Sequence, residues 1–325
     1  MMEPSRFVFL AMGSECVLDL YATDTRAAEA AEAEVSRIEH RLSRHLPDSI
    51  LSKINRVAAQ GGEIEVDDEM ASLIDYAYAC HRKSEGLFDI TTGILRRAWN
   101  FSTGQAPTAA EIEHWLPYVG LQKILWERPK LAFPIPGIEL DFGGIGKEYA
   151  ADRVAAVCAG FGVVHGLVNL GGDLRVIGPR PDGSPWPISI CDPQMPGKAH
   201  SVVHVASGGL TTSGDYERCV TIDGLRYGHI LNPFTGWPVR GLAGVTVAAD
   251  TCLVAGSVST IAMLKGVAGI PWLSGLGLPY LWIDSEGNTG SKMNGSLEFL
   301  DPGVDGAVGW CLHSIEADPA IPAQS

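Results

Sequence analysis

The stretch that most constrains this chain is Leu140 to Arg153, read Leu-Asp-Phe-Gly-Gly-Ile-Gly-Lys-Glu-Tyr-Ala-Ala-Asp-Arg. An acid, a glycine turn and a lysine lead directly into a helical pattern. Val154, Val157 and Cys158 extend one apolar face, and Gly160 is placed to stop it. A turn that opens a helix aims backbone N–H groups and the positive end of the helix dipole at whatever lies in front of it. Gly143, Gly144 and Gly146 let that backbone come close to a ligand, and Lys147 adds a compact cation. The arrangement suits a phosphorylated ligand. It is not a Walker loop, because no Gly-Lys-Ser/Thr follows, and its glycines lack the dinucleotide spacing. The same residues also read simply as a tight strand-to-helix turn.

The 325 residues suffice for one large or two modest domains, and 46% hydrophobic with 19% charged residues is the profile of a folded soluble protein. A net charge of −14 argues against general nucleic-acid or anionic-membrane binding, which needs a basic face. It leaves room for a nucleotide held by a few local donors. The seven cysteines form no Cys-x-x-Cys pair, and such a scattered set is expected to pack as small hydrophobes in a reducing compartment. No apolar run is expected to reach the roughly 18 residues of a membrane helix. Phe7 to Met12 is too short and too weakly basic for a secretory signal. The expectation is a cytoplasmic protein without membrane insertion.

Met12 to Ala22 alternates as a strand. Val35, Ile38 and Leu42 then fall at helical spacing, with Asp24 placed to cap. Pro47 breaks the next segment, and a helix is expected from near Asp48. Asp67 to Lys83 reads as a helix ended near Gly86, and Thr108 to Leu116 as a short one with a capping box to Glu111. Beyond the opening stretch come short β-type runs at 163–170, 187–190, 201–205, 220–222 and 242–249, with a last helix at about 254–265. Helices bracketed by strands indicate an α+β domain rather than regular βαβ winding. The expected division is a domain over 1–300 and an irregular tail over 301–325.

Four more segments read as ligand loops: Asn169 to Asp173, Thr211 to Arg218, His229 to Pro238, and the helix start at Val254 to Thr260. Each also has a plain reading as a turn or a packed residue. Their order resembles the FAD:protein FMN transferase family, also called ApbE. The family's Met-Gly pair matches Met12-Gly13, and its Ser-x-Tyr and downstream Ser/Asn segment corresponds to Ser43 to Asn55, with His45 where a tyrosine is usual. Gly-x-Phe-Asp matches Gly86 to Asp89, and Asp-x-Gly-Gly-Ile-x-Lys-Gly-Tyr-x-x-Asp matches Asp141 to Asp152, with Glu148 in place of the glycine. Asn-x-Gly-Gly-Asp, Ser-Gly-Asp-Tyr and His-Ile-x-x-Pro-x-Thr-Gly-x-Pro follow in order.

The resemblance implies a T-fold-like single domain of mixed and antiparallel sheets flanked by helices, with the flavin in a cleft. It implies FAD as substrate, Mg²⁺, and a protein acceptor whose Ser or Thr receives FMN as AMP leaves. Met12, His45, Phe88, Asp89, Asp141, Lys147, Asp152, Gly171, Gly172, Asp173, Ser213 and Ile230 would surround the flavin nucleotide. His229 would stand at the reacting phosphate, in proton transfer or in charge stabilisation. Gly144, through its carbonyl, and Thr260 would hold the metal. The family's metal motif Ala-Asp-x-x-Ser/Ala-Thr is here Ala255-Gly256-Ser257-Val258-Ser259-Thr260, so its carboxylate is missing. Mg²⁺ prefers oxygen ligands that include a carboxylate. Three outcomes are open: another acid such as Asp250 or Asp173 supplies the charge; FAD phosphates and water hold the metal; or the protein binds flavin without efficient transfer, or merely hydrolyses FAD. If the rest of the site is intact, Gly256→Asp is expected to raise metal-dependent activity.

Overall fold

The computed structural model describes residues 3–300 apart from 23, 102–103, 196, 217, 223 and 293–298. The expected tail over 301–325, and Glu217 of the Thr211–Arg218 segment, lie outside the described residues.

Eight strands cross one antiparallel sheet in chain order. They are Ser5–Ala11, Ser14–Leu20, Gly166–Leu170, Asp173–Gly178, Gly208–Gly214, Leu242–Ala249, Tyr280–Asp284 and Thr289–Lys292. The segments that build the site are insertions between them. After Leu20 come α1 (Arg26–Leu42), α2 (Ile50–Gln60), α3 (Asp68–Lys83), α4 (Ala109–Trp115) and α5 (Gly146–Gly160). After Ala249 come α6 (Cys252–Lys265) and α7 (Gly269–Leu276). A small sheet of Trp186–Cys191, Ala199–Val205 and Phe299–Leu300 is inserted after Gly178.

The period of two along the strands divides the core into layers. Cys16, Leu18, Leu20, Val168 and Leu170 face the helices and share a core with Val35, Ile38, Ile74, Val154 and Cys158. Leu167, Leu174, Val176 and Leu210 face the other way, onto Trp186, Ile188, Val203 and Val205 of the small sheet. Gly166–Leu170 is therefore buried at every position, which is why it reads as a continuous apolar run. A third cluster seats Ala255, Ala262 and Met263 of α6 on Val245 and Val247.

The helix starts follow the capping chemistry. The Ser49 hydroxyl accepts from Ser52 N at 2.8 Å, the Asp67 carboxylate accepts from Met70 N at 3.0 Å, and Thr108 and Glu111 close the capping box. Trp99, Trp115, Trp126 and Trp272 pack: Trp99 is fully buried with its indole N–H on Gly236 O at 2.8 Å, and Trp126 donates to Asp75 at 2.7 Å.

Four expectations are corrected. The strand expected over Met12 to Ala22 is Ser14–Leu20, and Met12 is in the turn that joins it to an unexpected edge strand, Ser5–Ala11, with Val8 and Leu10 exposed. Thr211, Thr212 and Ser213 lie in the strand Gly208–Gly214 rather than in a loop, where Thr212 bonds Thr246 across the ladder at 2.8 Å. The stretch Cys252–Leu276 is apolar and long enough for a membrane span, contrary to expectation. It is broken into α6 and α7 at Gly266–Ala268 and is more than half buried in this core. Cys16, Cys80, Cys158 and Cys252 are buried free thiols as expected, whereas Cys191 is disulfide-bonded.

Leu18 is fully buried where the sheet meets α1 and α5. Leu18→Ala is expected to cost about 2–5 kcal/mol of stability, read by urea denaturation. A cost under about 1 kcal/mol would show that this layer collapses readily.

Candidate active site

The turn before α5 is held from three sides. Asn55 of α2 clamps Leu140, donating to its carbonyl at 2.9 Å and accepting from its N–H at 2.8 Å. The Asp141 N–H donates to Ile90 O at 2.8 Å, and its carboxylate accepts from Gly143 N at 2.9 Å and pairs with Arg44. Gly146 N donates to Phe142 O at 2.8 Å and starts the helix. The residue before it, Ile145, supplies no side-chain cap, which leaves room at the helix start for an anion.

Lys147, one residue into α5, donates to the Ser14 hydroxyl at 2.5 Å. Two glycine hairpin turns make room for it. Met12 and Gly13 join the first two strands with φ of 53° and 69°, and Met12 N donates to Glu39 at 2.8 Å. A left-handed, non-glycine residue such as Met12 marks a turn that its surroundings over-determine. The Met12 methyl lies 3.6 Å from where a Cβ on Gly146 would stand. Gly171 and Gly172, with φ of 64° and 96°, form the second turn, tied by Gly172 N donating to the Asn169 side-chain Oδ1 at 2.9 Å. A Cβ on Gly171 would lie 2.7 Å from Ser14 and 3.0 Å from Lys147 Nζ. In a chain of net charge −14, cations gather here. Arg44 and Arg96 lower the His45 pKa after the main effect of desolvation, and Arg44 Nε is buried without a partner.

His229 follows the hairpin Cys219–Ile222/Leu225–Gly228 and stands near both Lys147 and Arg218. Its side chain is exposed to solvent, yet protein atoms gather densely around the ring. The crowding, then Arg218 and Lys147, push its imidazole pKa below the ordinary value, and a hydrogen bond to the Arg218 backbone orients the ring. Behind it, Ser213 bonds Ser259 at 2.7 Å and Thr260 at 3.1 Å, and Ser259 donates to Gly256 O at 2.9 Å. The Phe88 ring lies 3.5 Å from a Cβ built on Gly144.

Other expected site residues have partners within the protein. Asp89 is buried and accepts from Thr91 N at 2.8 Å, Thr91 Oγ1 at 2.6 Å and Leu121 N at 2.8 Å. Asp152 accepts from Cys252 N and Leu253 N, both at 2.9 Å, and pairs with Arg175 at 3.1 Å. It thus caps α6 from the side. Ile230 packs between two core clusters. Asp173 begins the strand after the glycine turn, and Asp250 is exposed. A recess of about 840 Å³ between α3 and residues 122–127 contains none of these side chains.

Ser14 and Arg44 were not singled out by the motifs, and Glu148 was noted only as a departure from one. Ser14 and Arg44 each adjoin a motif residue, and only the fold brings them onto Lys147 and Asp141. Residues 12–281 match the family model described as the ApbE family. The chain belongs to the ApbE family. It is 28% identical to an FAD:protein FMN transferase of Haemophilus influenzae over 74% of this chain and 72% of that protein. It is 31% identical to one from Salmonella typhimurium, over 69% and 67% of the two chains. The crystal structure of an ApbE protein from Thermotoga maritima has a TM-score of 0.80 to this chain at 30% identity, covering 89% of this chain and 96% of that one. The apo Pseudomonas stutzeri flavinyl transferase ApbE gives 0.79 at 28% identity, over 90% and 96%. The α+β architecture is thus the ApbE one.

Gly171→Ala should lose about 1–2 kcal/mol from the left-handed backbone alone. It should also break the contact of Lys147 with Ser14. Urea denaturation checks the first effect, and unchanged stability would mean the turn does not hold this conformation.

Proposed function

We propose that this ApbE protein is an FAD:protein FMN transferase that moves FMN from FAD to a Ser or Thr hydroxyl of an acceptor protein, with release of AMP. The observation that carries this is the start of α5, with no side-chain cap from Ile145 and with Lys147 near enough to His229 to act on its charge. A pyrophosphate carries two negative charges, and this place combines helix N–H groups, a lysine and glycines without steric bulk. FAD is the flavin nucleotide for which the matched relatives are named.

In the reaction, the acceptor oxygen attacks the phosphorus of the FMN half. A new phosphorus–oxygen ester bond forms, the bond to the bridging oxygen breaks, and AMP leaves with that oxygen. The hydroxyl proton needs a base. His229 suits the task because its surroundings keep it neutral and the Arg218 backbone orients its ring. Lys147 and the α5 amides hold the charge of the pyrophosphate, and Ser14 positions Lys147. Met12 closes the near side of the helix start, and Arg44 braces Asp141.

Mg²⁺ is the metal the resemblance implies, and bound there it would neutralise charge on the pyrophosphate as the phosphorus is attacked. Among the described residues no group of three or more His, Cys, Asp or Glu side chains has the geometry of a metal site. The fitting donors are mixed: the Gly144 carbonyl, the Thr260 hydroxyl and one buried carboxylate with an unpartnered oxygen, that of Glu148.

Incubation with FAD, Mg²⁺ and a Ser/Thr acceptor peptide should yield AMP and flavinylated peptide in equal amounts. Free FMN and AMP without peptide product would identify a pyrophosphatase, and bound FAD with no AMP a flavin-binding protein. Lys147→Met should weaken FAD binding about 10- to 100-fold, the worth of one or two charge-assisted hydrogen bonds. Because the His229 pKa is lowered, the neutral base persists as pH falls through 6.5. The acid limb of kcat/KM should therefore lie below pH 6.5, and a limb above it would remove His229 from the role of base.

A further inference from the structure

Two departures from the family pattern, noted separately in the sequence, meet in the structure. Position 148 carries a glutamate where the family has glycine, and position 256 carries glycine where the family has aspartate. A Cβ built on Gly256 would stand 2.5 Å from Glu148 Cγ, 2.7 Å from Glu148 Oε1 and 3.0 Å from its Cδ. The glutamate side chain therefore fills the space that a side chain at 256 would take.

The Glu148 carboxylate is poorly satisfied for a buried acid. Only 7% of the residue is exposed, and while the group accepts from its own backbone N–H, Oε2 is buried with no hydrogen-bond partner. A buried carboxylate oxygen left unpaired is costly, and native structures rarely retain one without a reason. Gly256 and Thr260 are four residues apart on α6 and share a face. Thr260 in turn bonds Ser213, and Ser259 bonds Gly256 O, so the carboxylate adjoins a cluster of oxygen donors.

From this we infer that Glu148 is the carboxylate ligand of the divalent cation, taking over from α5 the place that the family fills with an aspartate from α6. The oxygen ligand that the metal requires is moved to the facing helix and not lost. Asp250, weighed from the sequence, is exposed, and the atoms nearest the vacant Cβ position all belong to Glu148. On this inference Gly256→Asp alone does not add a ligand to an empty place. The new side chain would have to displace Glu148 and would set a second carboxylate against the first. The inference rests on the transferase reading for its choice of metal.

The test measures Mn²⁺ binding by the loss of the free-ion paramagnetic resonance signal, with purified protein and FAD present. Thermal melting checks folding of every variant. Wild type should bind Mn²⁺, competed by Mg²⁺. Glu148→Gln, which keeps the shape, should stay folded and lose at least tenfold in Mn²⁺ affinity. Gly256→Asp should melt earlier and bind no better than wild type. The double variant Glu148→Gly with Gly256→Asp, which recreates the family arrangement, should recover binding to within a few-fold of wild type. Wild-type affinity in Glu148→Gln, no Mn²⁺ binding by wild type, or no recovery in the double variant would each overturn the inference. If wild type and the double variant bind Mn²⁺ while no FMN reaches any acceptor, the metal ligand stands and the transferase reading falls.

Discussion

The contact on which the site depends is that of Asp152 with the first amides of α6. Asp152 accepts from Cys252 and Leu253 and is itself braced by Arg175. That contact fixes the register of α5 against α6. Glu148 lies one helical turn before Asp152, and Gly256 one turn after Cys252, so the two helices cross with Glu148 over Gly256. The same helix presents Lys147 on its other side, to Ser14 and the glycine turn. One short stretch of α5 therefore carries the carboxylate that caps α6, the lysine that meets Ser14 and a buried glutamate, because successive residues point about 100° apart.

The rest of the fold holds that helix in place. α5 is apolar on the face that meets the sheet, where Val154 and Cys158 join the core of Leu18 and Val168. Its start is left polar and uncapped, with the Asn55 clamp and the Arg44–Asp141 pair bracing the turn before it. Burial makes the middle of the helix rigid, while Ile145 before it supplies no side-chain cap at its start. A rigid helix start beside a lysine is the arrangement on which the proposed anion site rests.

Much of this was legible in the chain. The helix starts at Ser49, Asp67 and Thr108 were written in their capping residues, and the acid–glycine–lysine stretch marked the start of α5. Hairpin strands were harder to read. Ser5–Ala11 lies at the sheet edge, where one face is exposed, and Thr211 to Ser213 are small hydroxyl residues that resemble a loop until their cross-strand partners appear. Asp89 and Asp152 matched site motifs, yet both bond backbone N–H groups far away in sequence, which no local pattern can show.

The sequence by itself determined the family, the α+β class and the turn that starts α5, because glycine turns, caps and a lysine after a turn are local signals. It also displayed both unusual residues, Glu148 and Gly256. Tertiary structure alone decided that they belong together. They are separated by more than a hundred positions, and only the packing of α5 on α6 places the carboxylate of one in the space left by the missing side chain of the other. Read along the chain, Gly256 is a lost ligand; read in space, it is the room that Glu148 needs.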